Sequence, residues 1–312
     1  MNLQHTHRLL LTGGTGFVGR ALLEVLANDA HFETRCSVRR DVYLNSAIQS
    51  VRVGNLDAHT DWSAALIGMH SVVHLAARVH VMNETAHDPL EEFRRVNVEG
   101  TLALARQAAA AGVRRFVFLS SIKVNGETGT FSERDAPNPR DAYGVSKLEA
   151  ERGLQAVGAA TGMQIVVIRP PLVYGHGVRA NFRALIRLVE RGVPLPLGAV
   201  RNQRSFVAVQ NLASCIRTCV THPDAADQTF LVSDGHDLST TELLQRMARA
   251  LGKPSRLIPV PPAILEFCAA LIGRQAVAQR LLGSLQLDIT KARELLGWTP
   301  AMSVDEALRA TV

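Results

Sequence analysis

The sequence predicts a doubly wound α/β fold, a parallel sheet carrying a smaller C-terminal substrate lobe. Three observations predict it. Short apolar runs alternate with helix-period segments through the first half. A glycine-rich turn, Gly13–Gly19, joins the first run to the first helical pattern. After Arg169-Pro170-Pro171 the alternation stops, and proline and glycine become frequent around Gly192–Gly198. Near-continuous apolar strands separated by helices imply a sheet buried on both faces.

Taken in order, the strands are expected at 8–12, 34–38, 51–53, 71–75, 115–120 and 164–169, and the helices at 17–28, 61–67, 90–111 and 143–160. The turn contains Gly13, Thr15, Gly16, Phe17, Val18 and Gly19. Gly13 permits the tight turn, Gly16 lets backbone approach a pyrophosphate, and Gly19 lets helix lie on strand. The helix start then offers N–H groups to phosphate. Further on, Ser239–Glu242 and Ser303–Glu306 both read as capping boxes that open later helices. We place a dinucleotide-binding domain at 1–170 with a return segment near 206–235, and a lobe at 171–205 and 236–312.

Composition narrows the class. The chain has 312 residues and a formal net charge of +6 without a basic block or aromatic platform, so nucleic acid is not expected as a partner. The four cysteines lack disulfide or metal-ligand spacing, which fits a reduced cytoplasmic setting and no metal. Met1–His7 is polar and does not read as a secretory signal. Pro261–Gly273 is too short to span a bilayer and carries Glu266, so no stable membrane insertion is expected; a buried or docking helix is the default and membrane-surface contact the minor alternative.

Tyr143 and Lys147 are four residues apart, on one face of a helix. An ammonium beside a phenol favours the phenolate and suits proton exchange. Together with the glycine turn, this pair resembles the short-chain dehydrogenase/reductase superfamily, in its extended epimerase/dehydratase branch. The strings Val73–Ala77, Val96–Thr101, Phe118–Ser121, Ile168–Pro170 and Leu295–Pro300 carry the same resemblance. It implies a Ser121, Tyr143 and Lys147 catalytic group, with Ser120 as the competing serine. It also implies cofactor contacts from Asn55, Leu56, Leu75, Ala76, Ala77, Asn97 and Pro170. Asn97 has an equally good structural reading, bonding neighbouring backbone. The branch further implies a homodimer built through a four-helix bundle.

The cofactor follows from a departure. NAD-preferring Rossmann proteins place an acid about 20 residues beyond the glycines. Here Val38 stands there, followed by Arg39 and Arg40. Guanidinium suits a 2′-phosphate, so NADP(H) is favoured, with NAD(H) possible and solvated loop charges as the bland reading.

Relatives that remove water from the sugar carry Asp-Glu after the catalytic serine or threonine, and here Ile122 and Lys123 replace them. Dehydration is therefore disfavoured. The string Ser120–Glu127 resembles a subgroup from bacterial surface-polysaccharide pathways. It implies an NAD(P)H-dependent 4-ketoreductase of a nucleotide-linked 4-keto-6-deoxy-N-acetylhexosamine, with a UDP-sugar 4-epimerase that retains NAD as the alternative and a non-catalytic dinucleotide sensor as a minor one. Substrate contacts are expected from Asn181, Phe182, Leu197 and Arg204, the last on a diphosphate. Lys123 reads equally as a sugar contact or a solvated charge. A nucleotide and a lipid-linked diphosphate both remain open, because the usual second arginine is replaced by a helix-like run containing Arg280.

Overall fold

A computed structural model describes residues 6–42, 44, 46–79 and 88–312, apart from the side chain of Ala180. Its first strand shows why the apolar runs are continuous. Leu9 and Leu11 enter one core and Leu10 the other, all fully buried. A strand covered on both faces needs apolar residues at every position rather than at alternate ones.

The strands are β1 (His7–Thr12), β2 (Phe32–Val38), β3 (Ile48–Arg52), β4 (Ser71–His74), β5 (Arg115–Leu119), β6 (Gly129–Phe131), β7 (Gln164–Arg169), β8 (Leu172–Tyr174), β9 (Phe206–Ala208), β10 (Thr229–Leu231) and β11 (Leu285–Leu287). Seven form one parallel sheet in the order β3-β2-β1-β4-β5-β7-β10. The winding reverses between β1 and β4, so a crevice opens there at the carboxyl ends of the strands. β6 pairs with β11, and β8 with β9.

Helices α1 (Phe17–Ala27), α7 (Val209–Thr221) and α11 (Thr290–Leu296) supply the core on one face of the sheet. The other face is covered by α2 (Ser63–Leu66), α4 (Thr101–Ala110) and α5 (Ala142–Thr161). The return segment adds β10 at the sheet edge beside β7. A second return, Ile289–Trp298, also packs into the first core, although the sequence reading placed it in the lobe.

The helix expected over 90–111 is three elements: α3 (Pro89–Phe93), a π-helical segment Arg94–Gly100, and α4. Two contacts accompany the widened turn. Asn97 is turned inward to bond the loop after β4, and Gly100 lies so close to Leu56 that a Cβ there would meet its Cγ at 2.8 Å.

The lobe is built by α6 (Ala180–Glu190), α8 (Thr240–Ala250) and α12 (Val304–Arg309) around a third core. Both expected capping boxes are present, at Ser239 and Ser303. A buried polar knot ties the lobe to the sheet domain. Asp234 accepts from the Tyr174 hydroxyl at 2.7 Å, and from the Asn211 amide and the Ala208 N–H at 2.8 Å each. Two further helices, α9 (Pro262–Leu271) and α10 (Gln275–Leu282), follow and have no fully buried residue.

The glycine turn has the least tolerance for added atoms. A Cβ on Gly19 would lie 2.2 Å from the Gly13 carbonyl oxygen and 2.6 Å from the Gly14 Cα. Gly19→Ala is therefore expected to lower the melting temperature and to weaken dinucleotide binding. Differential scanning fluorimetry with and without cofactor checks both effects.

Candidate active site

The crevice begins where β1 ends. Gly13 adopts φ +73°, and a Cβ there would sit 2.6 Å from the Ala76 N–H nitrogen beyond β4. The turn and the β4 exit thus touch, with Leu75, Ala76 and Ala77 on the far side. Thr12 joins them through its hydroxyl, which accepts from Ala76 N at 3.3 Å and bonds His74 Nδ1 at 2.7 Å. His74 reaches on to the Thr101 hydroxyl at 3.0 Å and is completely buried, which pushes its pKa down to about 3 and keeps it neutral. Gly16 caps α1 with no side chain and no acid in the first turn. A Cβ on Gly16 would meet only the Gly13 carbonyl oxygen, at 3.1 Å, so its outer side is open. An uncapped helix start with an open glycine is suited to a phosphate. Phe17 and Val18 turn inward, Phe17 against the lobe core and Val18 against the first core, while Thr15 is exposed.

Ser121, Tyr143 and Lys147 are positioned by two elements. Ser121 follows β5 and caps a short 3-10 turn over Ile122–Val124, its Oγ accepting from Lys123 N at 3.3 Å. Tyr143 and Lys147 lie on the first turns of α5, whose start is capped by Asp141 accepting from Gly144 N at 2.7 Å. The Lys147 ammonium donates to the Leu119 carbonyl at 2.8 Å, one strand-end from Ser121. It also lies over the Phe118 ring at 4.4 Å and over the Tyr143 ring at 6.0 Å. The Phe93 ring meets Tyr143 edge-on at 5.9 Å.

Burial sets the electrostatics. It lowers the Lys147 pKa to about 7, with the Glu151 carboxylate opposing the fall. Burial first, and then the charge of Asp141, hold the Tyr143 phenol well above its ordinary range. Both act against the phenolate, since loss of solvent and a nearby carboxylate each disfavour a second negative charge.

Ser120 belongs to a buried network behind the site. Ser120 donates to Glu151, which also receives Arg169 through Nε at 3.0 Å and Nη2 at 2.5 Å. Arg169 Nη1 donates to Asn125 Oδ1 at 2.9 Å. All four side chains are buried. Ser120 thus faces inward, whereas Ser121 is half-buried.

Several expected contacts have other roles. Lys123, expected equally as a sugar contact or a solvated charge, is partly exposed and pairs with Asp141 and with Glu127, the latter at 3.2 Å, and so braces the start of α5. Phe182 is 2% exposed and stacks on Tyr174, and Leu197 also lies in the lobe core. Their side chains fill the lobe instead of lining a cleft, because the lobe is small and uses its largest apolar groups for packing. Asn97 takes its structural reading: it exchanges bonds with the Arg78 backbone at 2.8 and 3.0 Å and donates to Ser146 at 3.1 Å. Leu56 packs beneath Gly100, and the Asn55 carbonyl accepts from Thr60 at 2.6 Å.

Arg204 is half-buried, donates to the Gly283 carbonyl at 2.9 Å, and feels Glu127. Asn181 is exposed at the start of α6. Arg39 and Arg40 are exposed just beyond β2, on the edge where the crevice opens. Pro170 is buried, its carbonyl accepting from Ile122 N at 2.9 Å.

Sequence reasoning missed Glu151 and Asn125. Glu151 had a legible signal: Tyr143, Lys147 and Glu151 recur at intervals of four and share one helix face. Asn125 and Arg169 meet only in the fold.

Residues 9–233 match the model of the NAD dependent epimerase/dehydratase family. The chain belongs to that family. A UDP-glucose 4-epimerase of Vibrio cholerae is 45% identical over 97% of this chain and 94% of its own. An N-acetyl-alpha-D-glucosaminyl-diphospho-ditrans,octacis-undecaprenol 4-epimerase of Escherichia coli O157:H7 is 28% identical over 82% of this chain and 77% of its own. Among solved structures, MoeE5 in complex with UDP-glucuronic acid and NAD superposes with a TM-score of 0.78, at 27% identity and 97% coverage of both chains. The residues described above fit a dinucleotide: a glycine turn with no room for a Cβ at Gly13 or Gly19, an uncapped helix start, and a tyrosine–lysine pair at the same strand ends.

Two outcomes test the site. Tyr143→Phe is expected to lower turnover by about 10²–10⁴-fold, the usual contribution of a positioned proton-transfer group, with cofactor binding kept; steady-state kinetics and cofactor titration measure the two separately. Lys147 titrates lower folded than unfolded. Between about pH 7 and its ordinary 10.5 the unfolded chain holds the extra proton, so wild-type stability rises with pH across that window. Lys147→Met should therefore gain melting temperature at pH 7, with the gain shrinking toward pH 10.

Proposed function

We propose that this chain exchanges a hydride and a proton at C4 of a UDP-linked hexose. The observation that supports this is that Lys147, over the Tyr143 ring on α5, donates to the Leu119 carbonyl two residues before Ser121, with Ile122 buried where a dehydrating carboxylate would be needed. Ser121 would hydrogen-bond the C4 oxygen and fix its distance from the phenol. Tyr143 would take the proton from that oxygen, or return it. Lys147 would hold positive charge near the phenolate as it forms. A bound nicotinamide supplies the hydride chemistry. The diphosphate is common to the nucleotide-linked and polyprenol-linked sugars named for the relatives, and Arg204 is the cation we assign to it.

The 4-epimerase form of this chemistry has the more direct support, from a relative 45% identical over nearly the whole chain. In that form the oxidised sugar turns over within the site and is reduced on its other face, so NAD is retained. A second reading, NADPH-dependent 4-ketoreduction of a 4-keto-6-deoxy-N-acetylhexosamine, is favoured by Arg39 and Arg40, which stand exposed directly after Val38, the position where an acid would contact the ribose. A homodimer through α4 and α5 belongs to the same proposal. Exposed alanines at 110, 156, 159 and 160 would admit close helix approach.

One assay separates the two forms. Purified protein is given UDP-glucose or UDP-N-acetylglucosamine without added cofactor, and in parallel a UDP-4-keto-6-deoxy-N-acetylhexosamine with NADPH or NADH. Conversion to the 4-epimer in the first supports epimerisation; loss of reduced-nicotinamide absorbance in the second supports reduction. Activity in neither removes the C4 proposal. Arg39→Ala with Arg40→Ala should raise KM for NADPH more than for NADH if those guanidinium groups read the 2′-phosphate.

A further inference from the structure

The outer surface of α9 carries apolar residues where a soluble helix would carry polar ones. Ile264, Phe267, Cys268 and Leu271 recur at the i, i+3, i+4, i+7 spacing of one helix face. Ile264 is 51% exposed, Phe267 65%, Leu271 70% and the following Ile272 72%. The opposite side of α9 is already satisfied, since Leu265 packs on the lobe core, as does Leu282 of α10. The exposed row is therefore not the inward face of a misplaced helix. It is a second apolar face, larger than scattered surface hydrophobics produce.

Its surroundings are basic. Between residues 252 and 287 the chain has Lys253, Arg256, Arg274 and Arg280 against the single acid Glu266. Arg256, Arg274 and Arg280 are exposed, and among the described residues none is in an ion pair. No helix in the described residues is long and apolar enough to cross a membrane. An exposed apolar face on a helix too short to span, in a stretch of chain whose exposed charges are mostly cationic, matches a bilayer surface with anionic headgroups: apolar side chains enter the acyl boundary and guanidinium groups meet phosphates. A second copy of the chain suits it less, because a two-fold contact would bring the basic stretches together.

We propose that α9 and the start of α10 dock this protein on an anionic membrane surface. The placement has a structural corollary. α10 runs directly into the carbonyls of Leu281 and Gly283, which receive Asn202 at 3.2 and 2.8 Å, and Gly283 also receives Arg204 at 2.9 Å. Docking would set the Arg204 side of the lobe close to the headgroup layer. The proposal itself needs no substrate, so it stands or falls apart from the C4 chemistry.

Vesicles provide the test. Full-length protein is sedimented with phosphatidylcholine vesicles and with vesicles containing phosphatidylglycerol, at low and high salt. Cys268 is exposed while the other three cysteines are buried, so an environment-sensitive thiol dye reports on this face alone. Cosedimentation with phosphatidylglycerol vesicles, weakened by salt and accompanied by a blue shift of the dye, is expected. Phe267→Asp with Leu271→Asp should abolish cosedimentation with phosphatidylglycerol vesicles while leaving turnover on a water-soluble UDP-sugar unchanged. Arg274→Glu with Arg280→Glu should cost the anionic preference. Absent cosedimentation, or vesicle binding that survives the double aspartate variant, would overturn the proposal. So would wild-type self-association in analytical ultracentrifugation that this variant abolishes without any lipid binding, since the face would then belong to a second copy.

Discussion

The buried ion pair between Glu151 and Arg169 holds the site together. Glu151 sits two turns beyond Tyr143 on α5, and Arg169 ends β7. Their two-point contact fixes the long helix against the sheet in a single register. Ser120 and Asn125 complete it, so the turn after β5 is held by the same two charges. Burying a charge pair is costly and is weak evidence of net stability, but removing one partner leaves the other stranded, at about 3–5 kcal/mol. The pair therefore contributes position more than stability: it decides where the phenol, the ammonium and the hydroxyl come to rest.

That scaffold explains the unusual state of Lys147. Its ammonium is surrounded by the Phe118 ring, the Leu119 carbonyl and, farther off, the Glu151 carboxylate. A lysine so placed changes protonation near neutrality, whereas an exposed one would not. Next to it the phenol is held protonated by burial and by Asp141, the residue that also caps the helix and pairs with Lys123. Capping, bracing and electrostatics at this helix start thus share one carboxylate.

How much of this was legible in the sequence depended on the range of the interactions involved. The β1 turn and α1 were readable because a strand, its glycines and the next helix are local, and each glycine has a specific steric reason. Tyr143 and Lys147 were readable because helical spacing alone brings them together. The π-helical segment was not, since it accompanies contacts of Asn97 and Gly100 with partners about 20 to 50 residues away. Lys123 was ambiguous for the same reason: its two carboxylates come from different elements. Phe182 and Leu197 misled because an apolar residue in a lobe segment reads the same whether it lines a cleft or fills a core. The second return at Ile289–Trp298 was hidden by its short length, and only packing shows which core it joins.

Asn97 links the two ends of the crevice more firmly than its modest size suggests. It grips the loop after β4 on one side and reaches Ser146 on the other, and Ser146 donates to the Tyr143 carbonyl at 2.8 Å. Through this strut the loop after β4 and the helix bearing the phenol are hydrogen-bonded into one frame. A frame of that kind leaves little freedom for tuning from within. Variation in which sugar is accepted, and on what carrier, must then arise in the lobe and its outer helices, which can be rebuilt without disturbing the chemistry beneath them.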